Sequence, residues 1–211
     1  MPNWCKNTQV IIGPKSEVYK LYELLKKWTK KTYMPNGFEE KGLSNIVACA
    51  GLKRKDEDIE NGVKCRGMVI TDFTYKEVNE NSKLYFETET AWKPMPEMWY
   101  KILEKYAPNC EYLYCSEEPS MGIYESNDVE RKIFKDEYFV DTWYDDDEKS
   151  ELQKYFPDTG YEYKAEDIKK GIQKTLQTTE IDMEELIERF NRLMMEQDGP
   201  VRIHELKYKK E

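Results

Sequence analysis

Two short amphipathic stretches, each carrying a single apolar stripe and each set between segments of alternating polarity, constrain this chain more than any other feature. The first stretch repeats Val18, Leu21, Tyr22, Leu25 and Trp28 at the spacing of one helix face. The second repeats Met98, Trp99, Ile102, Leu103 and Tyr106 in the same way. A helix with one stripe buries one side only, so each needs an apolar surface to lie on. The alternating segments supply it. Thr8-Gln9-Val10-Ile11-Ile12 reads as a strand closed by Gly13-Pro14, and Met68-Val69-Ile70, running on towards Phe73, reads as another. Leu84-Tyr85-Phe86-Glu87-Thr88-Glu89-Thr90-Ala91-Trp92 follows, with Leu84, Phe86, Thr88 and Thr90 on one face. Tyr112-Leu113-Tyr114-Cys115 and Met121-Gly122-Ile123-Tyr124 complete the set.

Local signals order these pieces. Ser16 can cap the first helix, and Pro94-Met95-Pro96 suits the opening turn of the second. Asn79-Glu80-Asn81-Ser82 is turn material between two strands, which predicts an antiparallel hairpin. The order is β-α-β-β-α-β, the ferredoxin-like arrangement of two split β-α-β halves in an α+β fold with an antiparallel sheet. Residues 1–126 are expected to form this domain, with a long excursion over 32–67 that has room for a short helix around Ile46-Val47-Ala48-Cys49-Ala50. Residues 127–211 form a C-terminal β/α extension expected to pack on the same domain. Its strands are Tyr138 to Tyr144 and Glu151 to Phe156, placed to extend the sheet. A helix carries Ile168, Ile172 and Leu176, and a second, with Asp182 and Glu185 as a capping box, carries Leu186, Ile187, Phe190, Leu193 and Met194. A last strand runs from Val201 to Tyr208.

The chain has 211 residues, enough to bury roughly 70% of the surface its unfolded form exposes. It therefore needs no disulfide or metal to fold. Hydrophobic residues are 39% and charged residues 36%, but 16 tyrosines and 5 tryptophans supply large buried areas in place of aliphatics. With 33 Lys+Arg against 42 Asp+Glu the net charge is -9, which repels phosphate backbones and anionic lipid at long range. No nucleic-acid binding is expected. The cluster Lys26, Lys27, Lys30 and Lys31 sits at a helix end, where cations complement the dipole. No stretch reaches the ~18 apolar residues of a membrane span, and the opening residues lack a signal-peptide core. Five irregularly spaced cysteines suggest reduced thiols, hence a cytoplasmic address.

Chemical constellations are sparse. The run Asp145-Asp146-Asp147-Glu148 lacks the alternating ligands and turn glycine of a calcium loop and reads as a solvated turn. No Cys-x-x-Cys pair occurs and His204 is the single histidine, so neither a zinc site nor a His-dependent nucleophile is expected. Glu87 with Glu89, and Glu117-Glu118, are adjacent acids of the kind 42 carboxylates produce by chance. There is no phosphate-cradling glycine loop. The expectation is no cofactor, no metal, no catalytic residue, and a function leaning away from catalysis.

Three stretches are more specific: Met1-Pro2-Asn3-Trp4-Cys5-Lys6-Asn7, then Phe86-Glu87-Thr88-Glu89-Thr90-Ala91-Trp92-Lys93-Pro94-Met95-Pro96, then Glu118-Pro119-Ser120-Met121-Gly122. Together they resemble the YubB ferredoxin-like family, also called Api-ninety-two-like, of phages, conjugative plasmids and other mobile elements. The resemblance covers the opening dozen residues and about Met68 to Ser126. A Gly-Thr-Lys-Trp stretch common in that family is replaced here by Thr71-Asp72-Phe73-Thr74-Tyr75. What the resemblance implies is a ferredoxin-like domain of mobile-element origin with no established activity. Together with the acidic surface and the missing catalytic constellation, it leads to the expectation of a non-enzymatic accessory protein that binds a host or element protein. A sharper form is an acidic inhibitor of a host defence or DNA-processing protein. Two readings of the motif residues stand side by side. In one they are scaffold: Trp4 packs beneath the sheet edge, Trp92 staples the start of the second helix, and Gly122 permits a close backbone approach. In the other, Trp4, Asn7, Trp92, Glu118, Met121 and Gly122 gather at one sheet end as a binding site. A small-molecule or nucleotide cleft near Trp92 and Met121 is the alternative to a protein partner.

Overall fold

Alternation along the strands and single stripes along the helices produce a mixed α+β protein with a mainly antiparallel sheet and, among the described residues, five helices. The computed structural model describes residues 3–30, 42–53, 63–142, 155, 165–197 and 201–209. The acidic run Asp145–Glu148 lies outside them, as does the expected strand Glu151–Phe156 except for Tyr155, which is helical. The chain divides into two compact units, Met1–Ile133 with Lys209–Glu211, and Phe134–Tyr208.

In the first unit the elements run β1 (Trp4–Pro14), α1 (Lys15–Lys30), α2 (Leu43–Cys49), β2 (Gly67–Val69), β3 (Thr74–Val78), β4 (Asn81–Ala91), α3 (Pro96–Tyr106), β5 (Glu111–Glu118) and β6 (Ile123–Ser126). A 3-10 turn, Pro119–Met121, joins the last two strands. β1 is central, paired antiparallel with β4 on one side and β5 on the other. β2 and β3 both pair with β4, and β6 pairs with β5. The strand expected over Met68 to Phe73 is thus two short strands with a break. Ile70 N still donates to Glu87 O (3.0 Å), but Glu87 N then donates to the Thr71 hydroxyl oxygen (2.8 Å). A side chain takes the place of a ladder carbonyl, and the edge leaves the sheet until Thr74.

Residues 5, 7, 9 and 11 of β1 point to the face that the helices cover. α1 buries Val18, Leu21, Leu25 and Trp28 there, and α3 buries Met98, Trp99, Ile102 and Leu103. They meet Ile11, Leu84, Phe86, Tyr112 and Tyr114 in one apolar cluster, joined by Leu43, Ile46 and Val47 of α2. Phe86 lies 4.7 Å from Trp99, centroid to centroid, a tilted pair of the favoured kind. Glu17, in the first turn of α1, accepts from Asn109 N (3.1 Å) and Nδ2 (2.7 Å), tying that helix to the turn after α3. Gly13 is required by crowding: a Cβ there would stand 2.4 Å from Cys110 Sγ.

The second unit contains β7 (Tyr138–Thr142), α4 (Ala165–Leu176), α5 (Met183–Glu196), β8 (Val201–Glu205) and β9 (Lys207–Tyr208). β7 pairs antiparallel with β8 in a two-stranded sheet of its own, so it does not extend the main sheet as expected. Ile168, Ile172, Leu186, Phe190 and Met194 pack on Val140, Val201 and Ile203. Asp182 caps α5 by accepting from Glu185 N (2.9 Å), as its sequence predicts. Asn191 brackets Ile203, donating Nδ2 to its carbonyl (2.8 Å) and accepting from its amide at Oδ1 (2.9 Å).

Candidate interaction site at one end of the sheet

The covered face of the sheet changes character along its length. Beyond Ile11, Leu84 and Tyr112 the inward residues become Cys5, Asn7, Gln9, Thr88, Thr90, Ser116 and Glu118, all buried. The register explains their meeting: Asn7 lies opposite Thr88 on one side and Ser116 on the other, and Cys5 lies opposite Thr90. Asn7 Nδ2 is within hydrogen-bond distance of Cys5 O (3.0 Å), Thr88 O (3.2 Å) and Thr90 Oγ1 (3.0 Å), while its Oδ1 accepts from Ser116 Oγ (2.6 Å). Gln9 Nε2 donates to Thr88 Oγ1, and Tyr112 donates its hydroxyl to Gln9 Oε1 (2.9 Å). Thr90 Oγ1 donates to Lys93 O (2.9 Å), which fixes the bend leading into α3. A buried amide lacking such partners would cost about 1–3 kcal/mol. Here the row satisfies itself and presents no polar group outward. Asn7 is therefore fully engaged within the sheet.

Burial pushes the Cys5 thiol up to about 12; the Thr90 side chain acts the other way, and the carboxylates of Glu125, Glu118 and Glu117 add to the rise. A thiol held that far above neutrality is not a nucleophile. Glu118 is likewise occupied: its carboxylate accepts from Met121 N (2.5 Å) and caps the 3-10 turn. Gly122 follows at φ +63, the left-handed region, where glycine carries no Cβ penalty. A Cβ at Gly122 would meet nothing within 4 Å, so the expected close backbone approach is absent and the φ alone asks for glycine.

The remaining motif residues face out. Trp4 is 42% exposed, Trp92 45% and Met121 56%. Both tryptophans are thus partly open to solvent, Trp4 at the start of β1 and Trp92 just past the end of β4. Trp4 pairs with Ala91, Trp92 N donates to Asn3 O (2.8 Å), and Lys6 pairs with Glu117 one residue before Glu118. These pairings bring all six motif residues to the same end of the sheet, the start of β1 and the ends of β4 and β5. On the outer face beside Trp4, Lys6 stands between Glu89 and Glu117 in adjacent strands, an arrangement of opposite charges across a sheet.

Trp92 has φ +73. An L-residue in that region carries about 1–2 kcal/mol of steric cost, and a bulky one is an outlier. Nothing local in Thr-Ala-Trp-Lys-Pro announces a left-handed residue. Gln9 and Ser116 likewise carry no local signal as members of the buried row, whereas the shared face of Thr88 and Thr90 is readable in the sequence. Among the described residues no group of three or more His, Cys, Asp or Glu is placed to hold a metal, and no helix is long and apolar enough to cross a membrane. No protein-family model, curated protein or solved structure matches the chain.

Proposed function

We propose that this chain is a non-enzymatic, protein-binding accessory module of the YubB-like, mobile-element kind, and that it meets its partner through the sheet end bearing Trp4, Trp92 and Met121. The observation that carries the reading is Trp92: a large aromatic residue kept in a strained backbone conformation and left 45% exposed. Strain of this sort persists where surrounding structure over-determines it, and it concentrates at functional positions. The surroundings are the Asn7 row and the Thr90–Lys93 bond, which set the β4–α3 bend. Tryptophan is enriched among residues that dominate binding energy, and a second tryptophan and a methionine lie at the same end.

Kinship to that family is supported by the three motif stretches, which the fold brings to one place. A ferredoxin-like arrangement is supported by the order β2/β3–β4–β1–β5, with α1 and α3 as the two connections over one face. The divided edge strand, α2 and β6 are additions to that plan. A small-molecule cleft near Trp92 and Met121 is the second reading; the same exposed tryptophan and methionine would form its walls. The acidic-inhibitor form rests on the net charge of -9.

Affinity capture from host lysate tests the proposal. A partner retained at low and high salt, and lost on combining Trp4→Ala with Trp92→Ala, is the expected result. A partner released by salt but indifferent to the tryptophans would favour the acidic surface instead. Absence of a partner at either salt contradicts the reading.

A further inference from the structure

A second feature lies away from the motif residues, where α1 passes the break in the edge strand. Tyr22, Lys26 and Lys30 follow one another at four-residue spacing and so share one helix face. Opposite them are Val69, at the end of β2, and Thr71, Asp72 and Phe73, which fill the break. Together with Thr29 these residues line a recess of about 520 Å³, within the range of roughly 300–1,000 Å³ that small ligands occupy. The break borders this recess, since Thr71, Asp72 and Phe73 lie between β2 and β3 and line it.

The chemistry of the lining is one-sided. Lys26 and Lys30 supply two ammonium groups. The Lys26 nitrogen stands 4.7 Å from the Tyr22 ring centroid, and the Tyr22 side chain is the first cause holding its pKa above the ordinary lysine value. Thr71 Oγ1 accepts from Glu87 N, so its O–H remains available to donate. Thr29 already gives its hydroxyl hydrogen to Leu25 O (2.9 Å) and adds no donor. Asp72 contributes the lining's carboxylate, and it is engaged within the protein. Glu23 approaches Lys26 at 3.7 Å, a long contact. Two like charges four residues apart on a helix repel one another, a repulsion that an anion between them would relieve. The carbonyl end of α1 opposes an anion, so both lysines are needed. Phe73 packs behind on Phe86 at 5.2 Å and offers an apolar wall, while Tyr22, stacked on Tyr75 at 5.7 Å and covered by the Lys26 ammonium, holds that lysine in place.

We propose that this recess binds a small oxyanion bearing a planar ring, with Lys26 and Lys30 holding the anionic group, Thr71 donating a hydrogen bond, Tyr22 positioning Lys26, and Phe73 flanking the ring. The anionic group is a phosphate or a carboxylate, and calorimetric titration of the full chain with two probes separates them: adenosine monophosphate and indole-3-acetate. At least one probe is expected to saturate with a Kd below about 1 mM, and about tenfold more tightly than adenosine or inorganic phosphate alone. Combining Lys26→Ala, a half-buried position, with Lys30→Ala, an exposed one, is expected to weaken that binding by about tenfold or more, and Thr71→Val by a smaller factor. The proposal is overturned if neither ring anion saturates, if adenosine or phosphate alone binds as well, or if the double lysine variant, folded as judged by circular dichroism, binds unchanged.

Discussion

The two halves of the helix-covered sheet face divide the work of the first unit. Towards Ile11, Leu84, Phe86 and Tyr112 the layer is apolar and filled by Trp99; towards Asn7, Thr88, Thr90 and Ser116 it is polar and closed on itself. Both halves are buried, yet they do different things. The apolar half contributes transfer free energy, which is large but tolerant of detail. The polar half contributes little net energy and much geometry, because an amide satisfied at both ends fixes strand register and the bend at Thr90. Tryptophan makes the contrast plain: Trp99 is 2% exposed inside the first half, and Trp92 is 45% exposed just beyond the second.

The largest effect expected from breaking this comparison is in the apolar half. Trp99→Ala removes the residue that touches Phe86 and Tyr112, and should destabilise the unit by about 3–5 kcal/mol in urea unfolding. A loss under about 1 kcal/mol would mean that the apolar half is not the stabilising one. Next comes Asn7→Leu, similar in size but unable to bond Ser116 or Thr90. A loss of about 2–3 kcal/mol is expected, since buried hydroxyls are left without partners. An apolar replacement that proved neutral would show that the row is dispensable.

A smaller, pH-dependent effect follows from Cys5. Its folded pKa, about 12, lies above the ordinary thiol value of 9.0. The unfolded thiol loses its proton first as pH rises, so the folded state binds more protons between those values. The Cys5 contribution is complete below pH 9.0 and is lost as pH climbs towards about 12. Thermal unfolding of the wild type should fall more steeply over that window than that of Cys5→Ala. Parallel curves would contradict the burial of this thiol.

What could be read beforehand divides along similar lines. The stripes of α1 and α3 were legible because a helix that buries one face must repeat its apolar residues there. Leu84, Phe86, Thr88 and Thr90 were legible as one face for the same reason in a strand. The break between β2 and β3 was not, because Met68 to Phe73 stays apolar enough for a strand and the interruption is set by Thr71 bonding Glu87 in a distant segment. Nor was the pairing of β7 with β8, whose partners Val140 and Ile203 are far apart in sequence. Trp4 and Trp92 were legible as motif residues but not as exposed ones, since large aromatic residues default to the core and a left-handed φ at Trp92 depends on the bend around it.

The most direct test compares stability with partner capture for Trp92→Gly. Glycine removes the left-handed strain of about 1–2 kcal/mol and gives up the contacts of a half-buried ring, worth about the same. The account predicts a protein within about 1 kcal/mol of the wild type that no longer retains its partner. A variant destabilised as strongly as Trp99→Ala, or one that keeps its partner undiminished, would show that Trp92 is scaffold after all.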